Sequence, residues 1–414
     1  MQLEVLYTML ERPPVATAKE DLEAYAFALN STVRHLMEKI NAEYLYWDQV
    51  KYLTKEDPST NRMLWFAVKK LRMFNYKHIQ FGHYSFRYIL TNEILGLLHE
   101  LDMGIGGTLS AESIIPAQDK NKYLMRSIME EAIASSQMEG ASTTRKVAKE
   151  MLRKNDKPQN KGQQMILNNY QTINYIKDIA QTDFALERLK EAHRLMTVNT
   201  LDNANEEGVI RKNDNILVLD GITGSIAHNP PPFTEVDELL NDLEVFFNKS
   251  GDYFIHPILK GIIIHFMLAY IHPFSDGNGR TARSLFYWYL IKQGYWMMEY
   301  LSISRIIYKS KRQYEKAFLC TEYDENDLTY FILYHLKTMK NAFEELKLYL
   351  KRKTEESNSI SLITQIQGIN LRQAQILDII TKSPTMILTV KEIENRFAVS
   401  NQTAKTNLAQ LVQL

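Results

Sequence analysis

Within the twelve residues His272-Pro273-Phe274-Ser275-Asp276-Gly277-Asn278-Gly279-Arg280-Thr281-Ala282-Arg283 stand an imidazole, a carboxylate, two glycines and two guanidinium groups. A neutral imidazole at His272 can take a proton from an attacking hydroxyl. Asp276 offers a hard oxygen of the kind magnesium accepts while keeping water and phosphate oxygens. Gly277 and Gly279 allow backbone amides to approach a ligand closely, and the amino terminus of a following helix adds free N–H groups and a dipole that favours an anion. Asn278 can donate to a phosphate oxygen. Arg280 and Arg283, three apart, project from one helical face toward the same polyphosphate. A base, a metal ligand and an electrostatic clamp together indicate phosphoryl or nucleotidyl transfer. The run is neither a Walker A loop, having no Gly-Lys-Ser/Thr, nor a dinucleotide fingerprint. His256 and His265 lack short ligand spacing and are expected in core or helix-end roles.

These groups need rigid elements around them. The run lies between the apolar stretch Gly261 to Phe274 and the pattern Leu285 to Tyr295, which reads as helix, tight loop, helix. Upstream, a segment from about Lys122 to Glu139 reads as another helix, which Gly140 can terminate in the left-handed conformation. On it Ser135 and Glu139 are four apart and share a face. Asn215 to Leu219 and Ser225 to His228, joined by Asp220-Gly221-Ile222-Thr223-Gly224, read as a β-hairpin, closed off by Asn229 and three prolines.

The rest of the chain is helical in pattern. Sixteen glycines and eleven prolines punctuate 414 residues, of which 45% are hydrophobic and 24% charged, as expected of two or three globular domains. Helical patterns run from Asp21 to Ile40, Arg62 to Phe74, Gln163 to Ile179 and Phe184 to Met196, with Tyr44, Tyr46, Trp47 and Tyr52 packing between the first helices. A polar turn is expected between Thr108 and Pro116. Forty-nine basic residues balance forty-nine acidic ones, so any anion site is local. The lone Cys320 and the lack of an export signal make the cytoplasm the expected location. Gly261 to Phe274 falls short of a membrane span and reads as a buried core helix.

Three domains are expected: a helical region over 1–105, a catalytic region over 106–345, and a module over 360–414, with a charged linker near 355. In that module, helices Leu371 to Ile380, Val390 to Phe397 and Ser400 to Leu411 are separated by the break Lys382-Ser383-Pro384 and by the turn Ala398-Val399-Ser400. They resemble a winged-type helix-turn-helix, with Asn401, Gln402, Lys405 and Asn407 as candidate DNA contacts. Five basic residues against three acidic ones from Ile360 to Leu414 make a weak electrostatic footprint, and a small protein-contact module is the competing reading.

The run His-Pro-Phe-x-Asp-Gly-Asn-Gly-Arg-x-x-Arg resembles the full signature of Fic-domain enzymes, with every specified position present. The resemblance implies a mainly α fold, a helical Fic core with a small β-hairpin flap, and AMP transfer from ATP-magnesium to a Tyr, Ser or Thr hydroxyl of a target protein. Carried over by position, His272 is the general base, Asp276 the magnesium ligand, Gly277 to Gly279 the α-phosphate cradle, Arg280 and Arg283 the outer phosphate contacts, and Phe274 an apolar anchor. Ser135-x-x-x-Glu139-Gly140 resembles the family's inhibitory motif on a helix amino-terminal to the core, which implies that Glu139 pairs with Arg283 and withholds a phosphate contact. The same glutamate removes AMP in some members. Ile226, Ala227 and His228 correspond to the flap that aligns a target strand. Family members often carry paired tyrosines near the adenine; here Tyr308 and Tyr314 stand apart, and Tyr314 is the candidate. Two other readings stand beside this one. The first is a DNA-binding regulator whose core senses nucleotide, and the second is transfer of another phosphate-linked group. A second copy of the chain is a further candidate partner, and no membrane is.

Overall fold

The computed structural model describes residues 10–414 apart from 55–56, 107–114, 116–119, 220–223, 250, 252, 367, 383–387, 398 and 414, and describes the backbone alone at 356–362, 382, 395 and 396. The chain divides into two compact units, Met1–Phe343 and Glu344–Leu414.

The first unit opens with helices α1 (Ala18–Ala28), α2 (Arg34–Ala42), α3 (Trp47–Val50) and α4 (Pro58–Met73). The single helix expected from Asp21 to Ile40 is broken between α1 and α2, where the Asn30 side chain takes the N–H of Thr32 at 2.9 Å and offers the backbone an alternative to the helical ladder. Tyr44, Tyr46 and Trp47 are buried edge-on against Trp65 and Tyr330, but Tyr52 is 72% exposed and does not join them.

Contrary to the helical expectation for 1–105, strands β1 (Lys77–Phe81) and β2 (Tyr84–Tyr88) form an antiparallel hairpin. Ile79, Phe81, Phe86 and Tyr88 alternate inward, and Gly82 turns the chain at φ +52°. A period of two with aromatic residues on one face suits a half-buried ribbon and cannot line one face of a helix.

Beyond α5 (Asn92–Leu101) come α6 (Lys120–Met138), α7 (Arg145–Lys154), α8 (Lys161–Ile179) and α9 (Leu186–Thr197). The turn expected between Thr108 and Pro116 lies, except for Ile115, outside the described residues. Strands β3 (Val218–Leu219) and β4 (Ile226–His228) pair antiparallel, shorter than expected, and the turn residues Asp220 to Thr223 lie outside the described residues. Next come α10 (Phe233–Asn248), α11 (Pro257–Ile271) and α12 (Asn278–Lys292). Helix α11 is apolar and buried nearly all round, which marks a central core helix. Among the described residues no helix is long and apolar enough to cross a membrane.

Helices α13 (Ile303–Lys309) and α14 (Lys311–Tyr323) precede the long α15 (Thr329–Thr364). Residues 351–361, expected as a linker, are helical, and the division between the units falls within α15. Their run of lysine, arginine and glutamate consists of good helix formers, so charge there marks a solvated helix. The second unit holds α16 (Leu371–Lys382), α17 (Val390–Phe397) and α18 (Asn401–Gln413) around Ile376, Ile393 and Ala404. Ser383, Pro384 and Ala398, read as breaks, lie outside the described residues.

Candidate functional site

Helices α11 and α12 pack together and leave residues 272–277 as the loop between them. Helix α11 ends at His272, which caps it at φ +51°, and Pro273 then prevents its continuation. Arg211 fastens this end. Its Nε donates to the His272 carbonyl at 3.0 Å, its backbone N–H to Pro273 at 2.9 Å and its Nη1 to Asp214 at 2.8 Å, and Nη2 reaches the carbonyl of Pro231. The Asn278 side chain does not face a phosphate as expected. It accepts from the Phe274 N–H at 2.9 Å and donates to the Phe274 carbonyl at 2.7 Å, which spends its amide on closing the loop.

Phe274 is fully buried and stacks on His193 with ring centroids 3.7 Å apart. His193 Nδ1 accepts from the Gly208 N–H at 3.0 Å, which leaves Nε2–H to donate to the Asp276 carbonyl at 2.8 Å. Burial lowers its pKa to about 4, so this neutral tautomer prevails at pH 7. Gly277 sits at φ +82°, and a Cβ there would meet Thr197 Cγ2 at 2.8 Å. The sequence reading missed both His193 and Arg211. His193 lay inside an ordinary helical pattern, and Arg211 carried no motif signal, since their importance comes from partners in the 272–276 loop, more than sixty residues away.

His272 Nδ1–H donates to the Ala269 carbonyl at 3.2 Å, which leaves the Nε2 lone pair free, and burial lowers the pKa to about 4. The Asp276 carboxylate is 59% exposed at the loop mouth, 3.8 Å from Arg280 Nη2. Helix α12 starts without a side-chain cap, so its first-turn amides point into the loop. Arg280 is 1% exposed; Nη1 donates to the Met196 carbonyl at 3.3 Å, but Nε and Nη2 meet no acceptor. Burial lowers its pKa, and the nearby carboxylates of Asp276 and Glu139 offset this only in part.

Arg283 is better supplied. Nε donates to Ser135 Oγ at 2.9 Å, and Nη2 to the Ser135 carbonyl at 3.0 Å and to Glu139 Oε1 at 2.8 Å. Burial works against both charges, but Arg283, with Arg280 and Lys311, holds Glu139 below the usual carboxylate range, and Glu139 in turn raises Arg283. Glu139 lies just beyond the end of α6, Gly140 follows at φ +92°, and Lys311 Nζ donates to the Met138 carbonyl at 3.0 Å. A Cβ at Gly279 would overlap the Glu139 carboxylate, so the glycine that admits an anion here already has one against it.

These groups open on a cleft of about 290 Å³, into which His272, Gly279, Arg283 and Tyr314 face with Ala227 and His228. The buried Tyr314 hydroxyl bonds His265 Nε2 at 3.0 Å, while Tyr308 is 46% exposed outside the lining. His265 is a core residue, and His256 caps α11 and pairs with Asp102 at 2.8 Å. In the flap, Ile226 is half-exposed and Ala227 lines the cleft. His228 is not free to reach a target strand as expected, because its nitrogens meet Glu322 and the Tyr270 carbonyl, each at 2.8 Å. Those bonds pin β4 to α14 and α11.

Among the described residues no three His, Cys, Asp or Glu side chains group to hold a metal. The exposed Asp276 carboxylate fits a magnesium ion that brings phosphate oxygens with it. In the second unit Asn401, Gln402 and Lys405 are exposed on α18. Asn407, expected to reach DNA, is buried, donating to the Thr403 carbonyl at 2.8 Å and accepting from Asn370 at 3.2 Å.

Residues 183–290 match the Fic/DOC family profile, a span that takes in the signature loop and the helices before it. Protein adenylyltransferase Fic from Aedes aegypti is 31% identical over 139 residues, which cover 34% of this chain and 26% of that protein. The protein of the same name from Nematostella vectensis is 37% identical over 68 residues, 16% of each. The chain thus spans about a quarter or less of these relatives. A Fic family protein from Desulfovibrio desulfuricans G20 superposes with a TM-score of 0.54 at 20% identity over 79% of this chain and 90% of that one. Fic-1 from C. elegans superposes at 0.52 and 15% identity over 80% and 89%. At such identities the likeness is one of fold.

Proposed function

We propose that this Fic-domain chain is a protein adenylyltransferase that moves AMP from ATP to a Tyr, Ser or Thr hydroxyl of a target protein, restrained by its own Glu139. The observation that carries the reading is the Glu139 carboxylate against Gly279 and 2.8 Å from Arg283, an internal anion at the amino end of α12. Phosphate oxygens favour the same surroundings. Once Glu139 withdraws, Arg283 joins Arg280 and its two unpartnered nitrogens on the outer phosphates, and the first-turn amides of α12 face the α-phosphate.

The target oxygen bonds to the α-phosphorus as the bond to the bridging oxygen breaks. The hydroxyl proton passes to His272 Nε2, and pyrophosphate leaves with the electron pair. Held by Asp276 and the phosphates, magnesium would supply positive charge for the leaving oxygens. His272 suits its part because its other nitrogen is held by Ala269. The same glutamate could direct water at a modified target and so remove AMP.

Intact mass spectrometry of Glu139→Gly with ATP and magnesium should find protein carrying one AMP, and Glu139→Gly with His272→Ala none. Equal labelling of both would remove His272 from the reaction. Equal labelling of wild type and Glu139→Gly at saturating ATP would remove the brake.

A second, independent reading concerns the 360–414 module, whose exposed Asn401, Gln402 and Lys405 on α18 favour contact with duplex DNA.

A further inference from the structure

Glu131 stands eight residues before Glu139 and four before Ser135, so the three form one stripe along α6 and its end. Helix α12 presents Arg283 and Tyr287, also four apart. The two series engage like matched teeth, with Arg283 on Ser135 and Glu139 and the Tyr287 hydroxyl donating to Glu131 Oε2 at 2.9 Å. The Glu131 carboxylate also accepts from the Ser304 N–H at 2.9 Å, from Ser302 Oγ at 3.2 Å and from Ser304 Oγ. Glu131 is 5% exposed. Neither the transfer chemistry nor the cleft uses it.

From this geometry we infer that Glu131 is the positioning residue of the brake, fixing the register of α6 against α12 so that Glu139 arrives on Arg283. Three physical points support it. A carboxylate with four donors is fully satisfied only in one register, because sliding α6 by a single residue turns its side chain about 100° away. Its partners come from two other elements, the body of α12 and the start of α13, so the joint ties α6 to both. Helix α6 is also held on its other side, where Ser136 Oγ donates to the Met165 carbonyl at 3.2 Å and Asn169 donates to Ala132 at 3.3 Å. With the helix body held on both sides, the movable part is the last turn, where Gly140 provides the pivot.

The inference rests on the proposed brake, and its test separates the two. ATP-dependent modification is compared in wild type, Glu131→Gln, Glu139→Gly and the double variant, with ATP affinity measured in a His272→Ala background and melting temperature as a control. We expect Glu131→Gln to raise modification about five-fold, within the usual range of coupling between sites. The double variant should match Glu139→Gly within two-fold, and Glu131→Gln should tighten ATP binding. A merely structural Glu131 would instead lower activity and affinity in both backgrounds, which overturns the inference. So does an unchanged Glu131→Gln beside an activated Glu139→Gly. A Glu139→Gly without activation overturns the brake and this inference together. Should Glu131→Gln fail to fold, Ser304→Ala removes one donor and keeps the carboxylate, and the same pattern at smaller amplitude is required of it.

Discussion

At the scale of single residues the site is governed by histidines kept neutral through burial. His193 has its pKa lowered to about 4 against about 6.5 for a free histidine, so between these values the unfolded chain binds a proton that the folded one refuses. Stability from this group is therefore complete above about pH 6.5 and lost as pH falls toward 4, amounting to about 3 kcal/mol. Protonation would also set a second N–H against the Gly208 amide that Nδ1 accepts from. Denaturant unfolding of wild type and His193→Phe from pH 7 to 4 should show a slope shallower by one proton in the variant; parallel slopes would count against the assignment. His272 makes a separate prediction about rate. With its pKa at about 4, modification by Glu139→Gly should stay level from pH 7.5 to about 5, where an ordinary histidine would already have halved it near 6.5.

At the scale of elements, the loop between α11 and α12 holds its shape through side chains that do not line the cleft. Asn278→Ala would remove two hydrogen bonds and strand the Phe274 N–H and carbonyl in a buried place, at a cost of about 2–4 kcal/mol. Urea unfolding followed by the buried Trp288 of α12 should register this, with Asn278→Asp in between because it keeps the acceptor alone. Arg211→Lys should lower kcat for modification at least ten-fold with little change in the KM for ATP, since an ammonium cannot span the carbonyls of His272 and Pro231 and the carboxylate of Asp214 together. A change confined to KM would place Arg211 in nucleotide binding instead. Such supports explain what was legible beforehand. The twelve-residue signature and the helices on either side could be read because their chemistry is local in the chain. His193, Arg211 and Glu131 could not, because each acts through partners that only tertiary folding supplies. The β1–β2 hairpin was lost for a related reason: its alternation spans a few residues within a region otherwise helical in period.

At the scale of the whole molecule, balanced charge makes the proposed DNA contact a strict quantitative question. No net field gathers phosphates, so binding by the proposed module would rest on its own cations over 360–414. From Ile360 to Leu414 the chain has five basic residues, and one of these, Arg372, donates to the Phe397 carbonyl at 3.1 Å and lies over the Phe397 ring. That leaves at most four to meet phosphates. Each neutralised phosphate contributes about −0.9 to the slope of log affinity against log salt, so duplex binding by the full chain should show a slope no steeper than about −4. Lys405→Ala should make it shallower by about one and leave AMP transfer by Glu139→Gly unchanged, since the signature loop and cleft lie within the first unit. Fluorescence anisotropy with a labelled duplex between 50 and 200 mM salt, roughly the range over which such slopes are resolved, measures both quantities. A steeper slope, or one untouched by Lys405→Ala, would move the contact away from α18, and no binding at the lowest salt would leave the module to protein partners.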